Sequence, residues 1–206
     1  VRHFVFVSTI RVLGEASDSP FTKAHPRRPV DAYAESKAQA EVWLMAQRGR
    51  IPSISIVRPP LVYGPGVRAN FLRLMNAVGR GWPLPVGCAV APRSQIAVTN
   101  LTHFLGTCAR HSHTCELLHC RDDEDYSVRD LVLLLAQCMG RKARLLSIEP
   151  RVVRACARLV GAGDAAARVF ERAQVDDSEA RVLLSWQPPV DSRTALAATV
   201  RWWCTR

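Results

Sequence analysis

Residues 3–9 read HFVFVST, an unbroken run of strand-forming apolar residues that closes on two hydroxyls. A strand wetted on one face alternates apolar with polar side chains, whereas a strand covered on both faces, as in a parallel sheet, is apolar throughout. The next segment, RVLGEASDSPFTKAHPRRPVD (residues 11–31), is dense in Gly, Pro, Ser and Asp and is expected to be a long loop. Its last residue, Asp31, is placed to cap a helix over residues 32–47, AYAESKAQAEVWLMAQ. Residues 51–58, IPSISIVR, form a second apolar strand, stopped by Pro59 and Pro60. Strand, loop, helix and strand in this order are the unit of a doubly wound α/β sheet.

Beyond residue 64 the pattern becomes mixed. ANFLRLMNAVGRG (69–81) is amphipathic and ends on glycine, as a helix does. PLPVG (83–87) and SQIAV (94–98) are expected as short strands, with Thr99 or Asn100 capping a helix to about Arg110. CELLHC (115–120) follows as a strand, Ser127 with Asp130 as a capping box before VRDLVLLLAQCMG, and KARLLSIE (142–149) as another strand. The remainder is helical through RTALAATVRWWCTR. The expected fold class is therefore α/β: the C-terminal part of a doubly wound, Rossmann-like parallel sheet over residues 1–64, and a smaller mixed α/β lobe over residues 65–206.

Composition narrows the possible functions. Apolar residues make up 48% and charged residues 22%, an ordinary globular balance. No apolar run approaches the ~18 residues that a membrane span needs. Seven cysteines, an odd number without C-x-x-C or a secretory leader, suit a reduced, cytoplasmic chain better than a disulfide framework. Cys115, His119, Cys120, His111 and His113 lack paired ligand spacing, so no metal is expected. The net charge is +10, and arginine supplies 25 of the 28 basic residues, spread from Arg2 to Arg206. Such scattering forms a solvated surface that attracts anions; it is not the basic stripe with interleaved aromatics that nucleic acid requires.

Two residues in this frame carry chemistry. Tyr33 and Lys37 stand four apart on the expected helix and so share a face. A phenol ionises near pH 10 and is a poor base at neutrality; an adjacent ammonium favours the phenolate and suits it to exchange a proton with a hydroxyl. Thr9 ends the first strand at the edge where open α/β sheets place their ligands. Ser8 and Thr9 can equally satisfy the strand end's own backbone.

FVFVSTIRVLGE, YAESK and VRPPLVYGPG, in this order and spacing, resemble the extended short-chain dehydrogenase/reductase family. Within it they are similar to the NAD-dependent epimerase/dehydratase group, in particular the UDP-glucose 4-epimerase-like enzymes of surface-polysaccharide synthesis. The resemblance continues through ANFLRL, RSQIAVTNL, YSVRDLVLLLAQCMGR and VDDSEARVLLSWQPP, nearly the whole chain. It implies a cytoplasmic enzyme that epimerises C4 of a nucleotide-linked hexose through a 4-keto sugar. The alternatives are an NAD(P)-dependent sugar or hydroxysteroid-type oxidoreductase, or an inactive fragment or binding protein. Tyr33 would be the acid/base, Thr9 its hydroxyl partner at the substrate, and Lys37 both the tuner of the phenol and a ligand of the nicotinamide ribose. Ser8 and Pro60 would lie against the cofactor, which is NAD ahead of NADP. Asn70 and Arg93 would hold the nucleotide part of the sugar nucleotide, Arg93 through its fork of donors. The implied assembly is a homodimer of the full-length protein, with neither nucleic acid nor membrane as partner.

Three departures qualify the resemblance. Dehydratases of the family carry an acid just after the strand-end hydroxyl; here Ile10 and Arg11 follow Thr9, which disfavours elimination of water. A second phosphate-binding arginine is expected in the C-terminal lobe, with Arg168 and Arg172 both available. The Gly-rich strand–turn–helix that holds a dinucleotide pyrophosphate is absent, since VYGPG and GAGD lack that setting. The chain is thus expected to be a fragment with an exposed hydrophobic strand edge. Calorimetric titration of the chain with NAD should show no stoichiometric binding; a saturable one-to-one isotherm would contradict this expectation.

Overall fold

The structure, a computed structural model, describes residues 3–111, 116–159 and 163–206. Its first sheet begins with β1 (Phe4–Val7), crosses through α1 (Ala32–Ala46) and returns as β2 (Ile54–Arg58), parallel to β1 with Phe4 opposite Ile54 and Val7 opposite Val57. The third strand, β5 (Glu116–His119), lies parallel on the other side of β2, with Ser55 opposite Glu116 and Arg58 opposite His119. β5 comes from beyond residue 64, so both stretches of the chain build this sheet. Every residue of the central strand β2 is buried, as its apolar reading requires. The strand expected over residues 3–9 is shorter and less covered: among the described residues β1 pairs only with β2, and Phe4 (38%) and Val7 (37%) are exposed.

Helices cover both faces. Leu44 of α1 packs on Ile54 and Ile56 from one side. From the other, α3 (Val98–Arg110) and α7 (Ser178–Leu184) bring Leu101, Phe104, Cys108, Ala180 and Leu184 onto Val57 and Leu118. Trp186 meets Phe104 edge-on, with centroids 4.9 Å apart. Burial pushes the thiols of Cys108 and Cys120 up in this layer, Cys108 to about 12.

A second, two-stranded parallel sheet pairs β3 (Leu61–Tyr63) with β4 (Gln95–Ala97). It supports α2 (Ala69–Gly79), α4 (Val128–Cys138) and α8 (Ser192–Cys204), whose Met75, Leu135 and Leu196 meet in one core. Gly79 lets the indole of Trp203 lie on α2, since an added Cβ would stand 2.2 Å from the ring, and Trp203 Nε1 donates to Asn76 Oδ1 at 2.8 Å. α5 (Pro150–Leu159) and α6 (Gly163–Val169) pack on one another.

The two sheets are joined at Asp122, just after β5. Its buried carboxylate accepts from Tyr63 Oη (2.7 Å), Asn100 Nδ2 (2.7 Å) and the Ala97 amide (3.1 Å), while its own amide donates to Gln95 O (2.9 Å). Burial raises the Asp122 pKa, and the donors from Asn100, Tyr63 and Ala97 only partly oppose it.

This knot explains one departure from the sequence reading. Neither Thr99 nor Asn100 caps α3; the helix starts at Val98, and the Asn100 side chain instead binds Asp122 and Val190. The expected strands at 83–87 and 142–149 shrink to one bridge between Leu84 and Leu145. Pro83 and Pro85 flank Leu84 and have no N–H to extend a ladder. The Ser127 cap is present, its Oγ accepting from the Asp130 amide at 3.1 Å. No helix among the described residues is long and apolar enough to cross a membrane. No cluster of three metal-ligating side chains occurs among them; Cys115 and His113 lie outside the described residues.

His119 yields a pH test. Burial, with Arg58 opposite, pushes its imidazole from 6.5 down to about 4. Between these values the unfolded chain holds a proton that the folded one refuses, so stability falls as pH drops from about 6.5 to about 4 and levels off below. In urea unfolding from pH 7 to pH 4, His119→Gln should lose about 3 kcal/mol less stability than the unsubstituted chain.

Candidate active site

The helix that presents Tyr33 is started by Asp31, whose Oδ1 accepts the Ala34 amide at 2.7 Å, as the sequence suggests. Tyr33 follows in the first turn and is 52% exposed. One turn on, Lys37 Nζ donates to the Val7 carbonyl at 2.8 Å, 4.7 Å from the Phe6 ring centroid and 6.0 Å from that of Tyr33. The ammonium is therefore tied to the end of β1 and faces two aromatic rings.

Thr9 is buried at the same edge. Its Oγ1 accepts the Arg11 amide at 3.3 Å and opens a 3₁₀ turn over Ile10–Leu13, which leaves the hydroxyl proton to donate elsewhere. The Ile10 amide donates to Pro59 O at 3.0 Å and draws the end of β1 to the buried Pro59–Pro60 pair. Thr9, Tyr33, Lys37 and Pro60 thus collect at the C-terminal edge of the parallel strands, where α/β sheets bind ligands.

Ser8, at the same strand end, is buried, and its hydroxyl donates to Glu41 Oε1 at 2.6 Å, so this side chain ties β1 to α1. Glu41, absent from the sequence reading, is 0% exposed and also accepts from Arg58 Nε (2.8 Å) and Nη2 (2.5 Å) and from Arg27 Nε (3.2 Å). Burial alone would push its carboxyl up; the donors Arg58, Ser8 and Arg27 outweigh that and hold it below the usual range. Two signals for it were available: a glutamate at helical spacing among the buried Ala34, Ala38 and Leu44, and an arginine closing the apolar strand ISIVR.

The residues expected to hold a nucleotide lie on other elements. Asn70 is exposed in the first turn of α2. Arg93 is half-buried before β4, and its Nη1 donates to the carbonyls of Arg168 and Glu171, both at 2.7 Å. Burial lowers the Arg93 pKa, opposed by the carboxylates of Glu171 and Glu15. Of the two further arginines, Arg168 pairs with Glu15 at 2.5 Å, whereas Arg172 donates to the Asp18 carbonyl at 2.9 Å. Glu15 also meets Arg11 (2.7 Å), which in turn binds Asp31. A line of alternating charge therefore runs from the cap of the Tyr33 helix to α6.

Residues 1–86 match the model of the NAD dependent epimerase/dehydratase family. The chain is similar to the UDP-glucose 4-epimerase of Vibrio cholerae, 34% identical over 194 residues, which cover 92% of this chain and 59% of that protein. It is also similar to the N-acetyl-alpha-D-glucosaminyl-diphospho-ditrans,octacis-undecaprenol 4-epimerase of Escherichia coli O157:H7, 27% identical over 69% of this chain and 44% of that protein. In fold it resembles the UDP-glucuronic acid 4-epimerase of Bacillus cereus, solved in complex with NAD, with a TM-score of 0.78 at 20% identity over 100% of this chain and 62% of that one. The chain spans less than two thirds of the length of these relatives.

The Asp31 cap carries a stability prediction. Asp31→Ala should cost about 1 kcal/mol in chemical denaturation, and Asp31→Asn, which retains the cap oxygen, clearly less.

Proposed function

We propose that this chain, a member of the NAD dependent epimerase/dehydratase family, is the catalytic part of an NAD-dependent 4-epimerase acting on a nucleotide-linked hexose. The observation that carries the reading is the placement of Lys37: its ammonium is anchored on the Val7 carbonyl beside both Tyr33 and the strand end that bears Thr9. Residues 1–64 carry the chemistry in this reading, and residues 65–206 mainly hold the substrate.

Each residue's work follows from its surroundings. Tyr33 Oη takes the proton of the sugar's C4 hydroxyl as that carbon becomes a ketone, and returns it when the hydroxyl is re-formed on the other face. Lys37 stabilises the phenolate during that exchange. Thr9 Oγ1, with its acceptor side occupied by the Arg11 amide, donates to the reacting oxygen and orients it. Arg93, stripped of much of its water and held by two carbonyls, meets the diphosphate as a fixed cation, with Arg168 beside it. Asn70 completes the nucleotide contacts.

The donor set at the strand ends fits the nicotinamide end of a dinucleotide, with Lys37 as ribose ligand and Pro60 as a wall. When bound, that cofactor supplies the acceptance and return of hydride. NAD is favoured over NADP, a homodimer is the proposed assembly and the cytoplasm the proposed location. Epimerisation is preferred to elimination because Ile10 and Arg11, neither of them an acid, follow Thr9, and Arg11 itself pairs with Asp31 and Glu15.

In the enzyme assayed with UDP-glucose and NAD, Tyr33→Phe should lower kcat by about a hundredfold or more without changing the unfolding midpoint. Near-normal interconversion by that variant would end the proposal. Net accumulation of reduced nicotinamide, read by its absorbance, would identify a dehydrogenase of the same fold instead.

A further inference from the structure

The Glu41 carboxylate reaches every part of the frame from which the reacting groups hang. It takes donors from Ser8 at the end of β1, from Arg58 at the end of β2 and from Arg27 in the loop between β1 and α1. Thr9 follows Ser8, Pro60 lies two residues after Arg58, and Tyr33 and Lys37 precede Glu41 by two turns and one turn of the same helix. Lys37 and Glu41 also bind consecutive residues of β1, the Val7 carbonyl and the Ser8 hydroxyl, so two bonds tie one turn of α1 to one strand end.

Stability alone gives little reason for an ion pair here. Apolar residues of similar volume hold a helix on a sheet as well as a buried salt bridge does, and often better. What an apolar contact lacks is direction, whereas a carboxylate facing the planar fork of a guanidinium fixes angle and register together. Misplacing reacting groups by about 1 Å can slow a reaction about a hundredfold. We infer that Glu41, clamped by Arg58 and Ser8, is a positioning residue that fixes where the Lys37 ammonium stands relative to the Tyr33 phenol. This rests on the roles proposed above for Tyr33 and Lys37.

The test removes direction while keeping the contact. In the full-length enzyme that carries this chain, the double variant Glu41→Leu/Arg58→Met should unfold at a midpoint equal to or above that of the parent. Its kcat for UDP-glucose epimerisation should fall at least about tenfold, with KM changed less than about threefold. Nuclear Overhauser contacts from the Lys37 side chain to the Tyr33 and Phe6 rings give a readout that needs no turnover, since the ammonium stands 6.0 Å and 4.7 Å from those ring centroids. In the double variant the contact to Tyr33 should be lost or clearly weakened, because the ammonium is no longer held near it.

A stable double variant with parental kcat and unchanged Lys37–Tyr33 contacts would overturn the inference. Should it fail to fold, Ser8→Ala decides, since it leaves the ion pair whole; a drop in kcat of about threefold with weakened Lys37–Tyr33 contacts supports the role, and no change in either overturns it. If the full-length enzyme that carries this chain shows no epimerisation, the functional proposal fails on its own and the side-chain contacts alone judge Glu41.

Discussion

A carboxylate removed from water must be met by donors on all sides, and Glu41 dictates what surrounds it. A side chain with no exposure cannot keep its charge unless hydrogen bonds and an opposite charge replace the lost solvent. That requirement brings Arg58 inward at the end of a strand otherwise built from Ile, Ser and Val, and it turns the Ser8 hydroxyl away from the surface. The same demand leaves Thr9, one residue later, on the opposite side of the chain as an alternating strand end requires. The strand end that carries Thr9 is thus braced from behind by a buried, charge-paired cluster.

Asp122 solves the corresponding problem between the two sheets with a different chemistry. Among the described residues no cation pairs with it; three neutral donors converge on it from β3, β4 and α3, and burial still raises its carboxyl. Glu41 is held by charge and Asp122 by dipoles. A knot of dipoles joins the sheet bearing the Tyr33 helix to the layer bearing Arg93, and hydrogen bonds from three elements give that joint a direction.

The parallel sheet, the Asp31 cap and the Tyr33–Lys37 helix were legible because each is announced locally: an apolar run, a cap residue, a spacing of four. Stretches 83–87 and 142–149 have the propensity of strands, but Pro83 and Pro85, on either side of Leu84, lack the donors that a ladder beyond the Leu84–Leu145 bridge needs. Locally Asn100, like Thr99, reads as a helix cap; its partner Asp122 lies 22 residues away, beyond any local pattern. Ser8 and Glu41 are 33 residues apart and Glu41 and Arg58 are 17 apart, so their pairing belongs to the fold and to no local pattern. The exposed strand edge is expected from the missing Gly-rich unit only in general; which side chains bear it, Phe4 and Val7, requires the register against β2.

The cysteines carry a further consequence. Cys120 immediately precedes Arg121 and the Asp122 knot, and it shares a core with Cys108. Only a thiolate attacks an alkylating reagent, and burial keeps both of these thiols protonated and covered while the fold is closed. Cys138, Cys156 and Cys204, by contrast, lie exposed. The sulfurs therefore report on opening: a reagent meets the exposed ones in the closed fold, and reaches Cys120 only when the seam between the sheets parts.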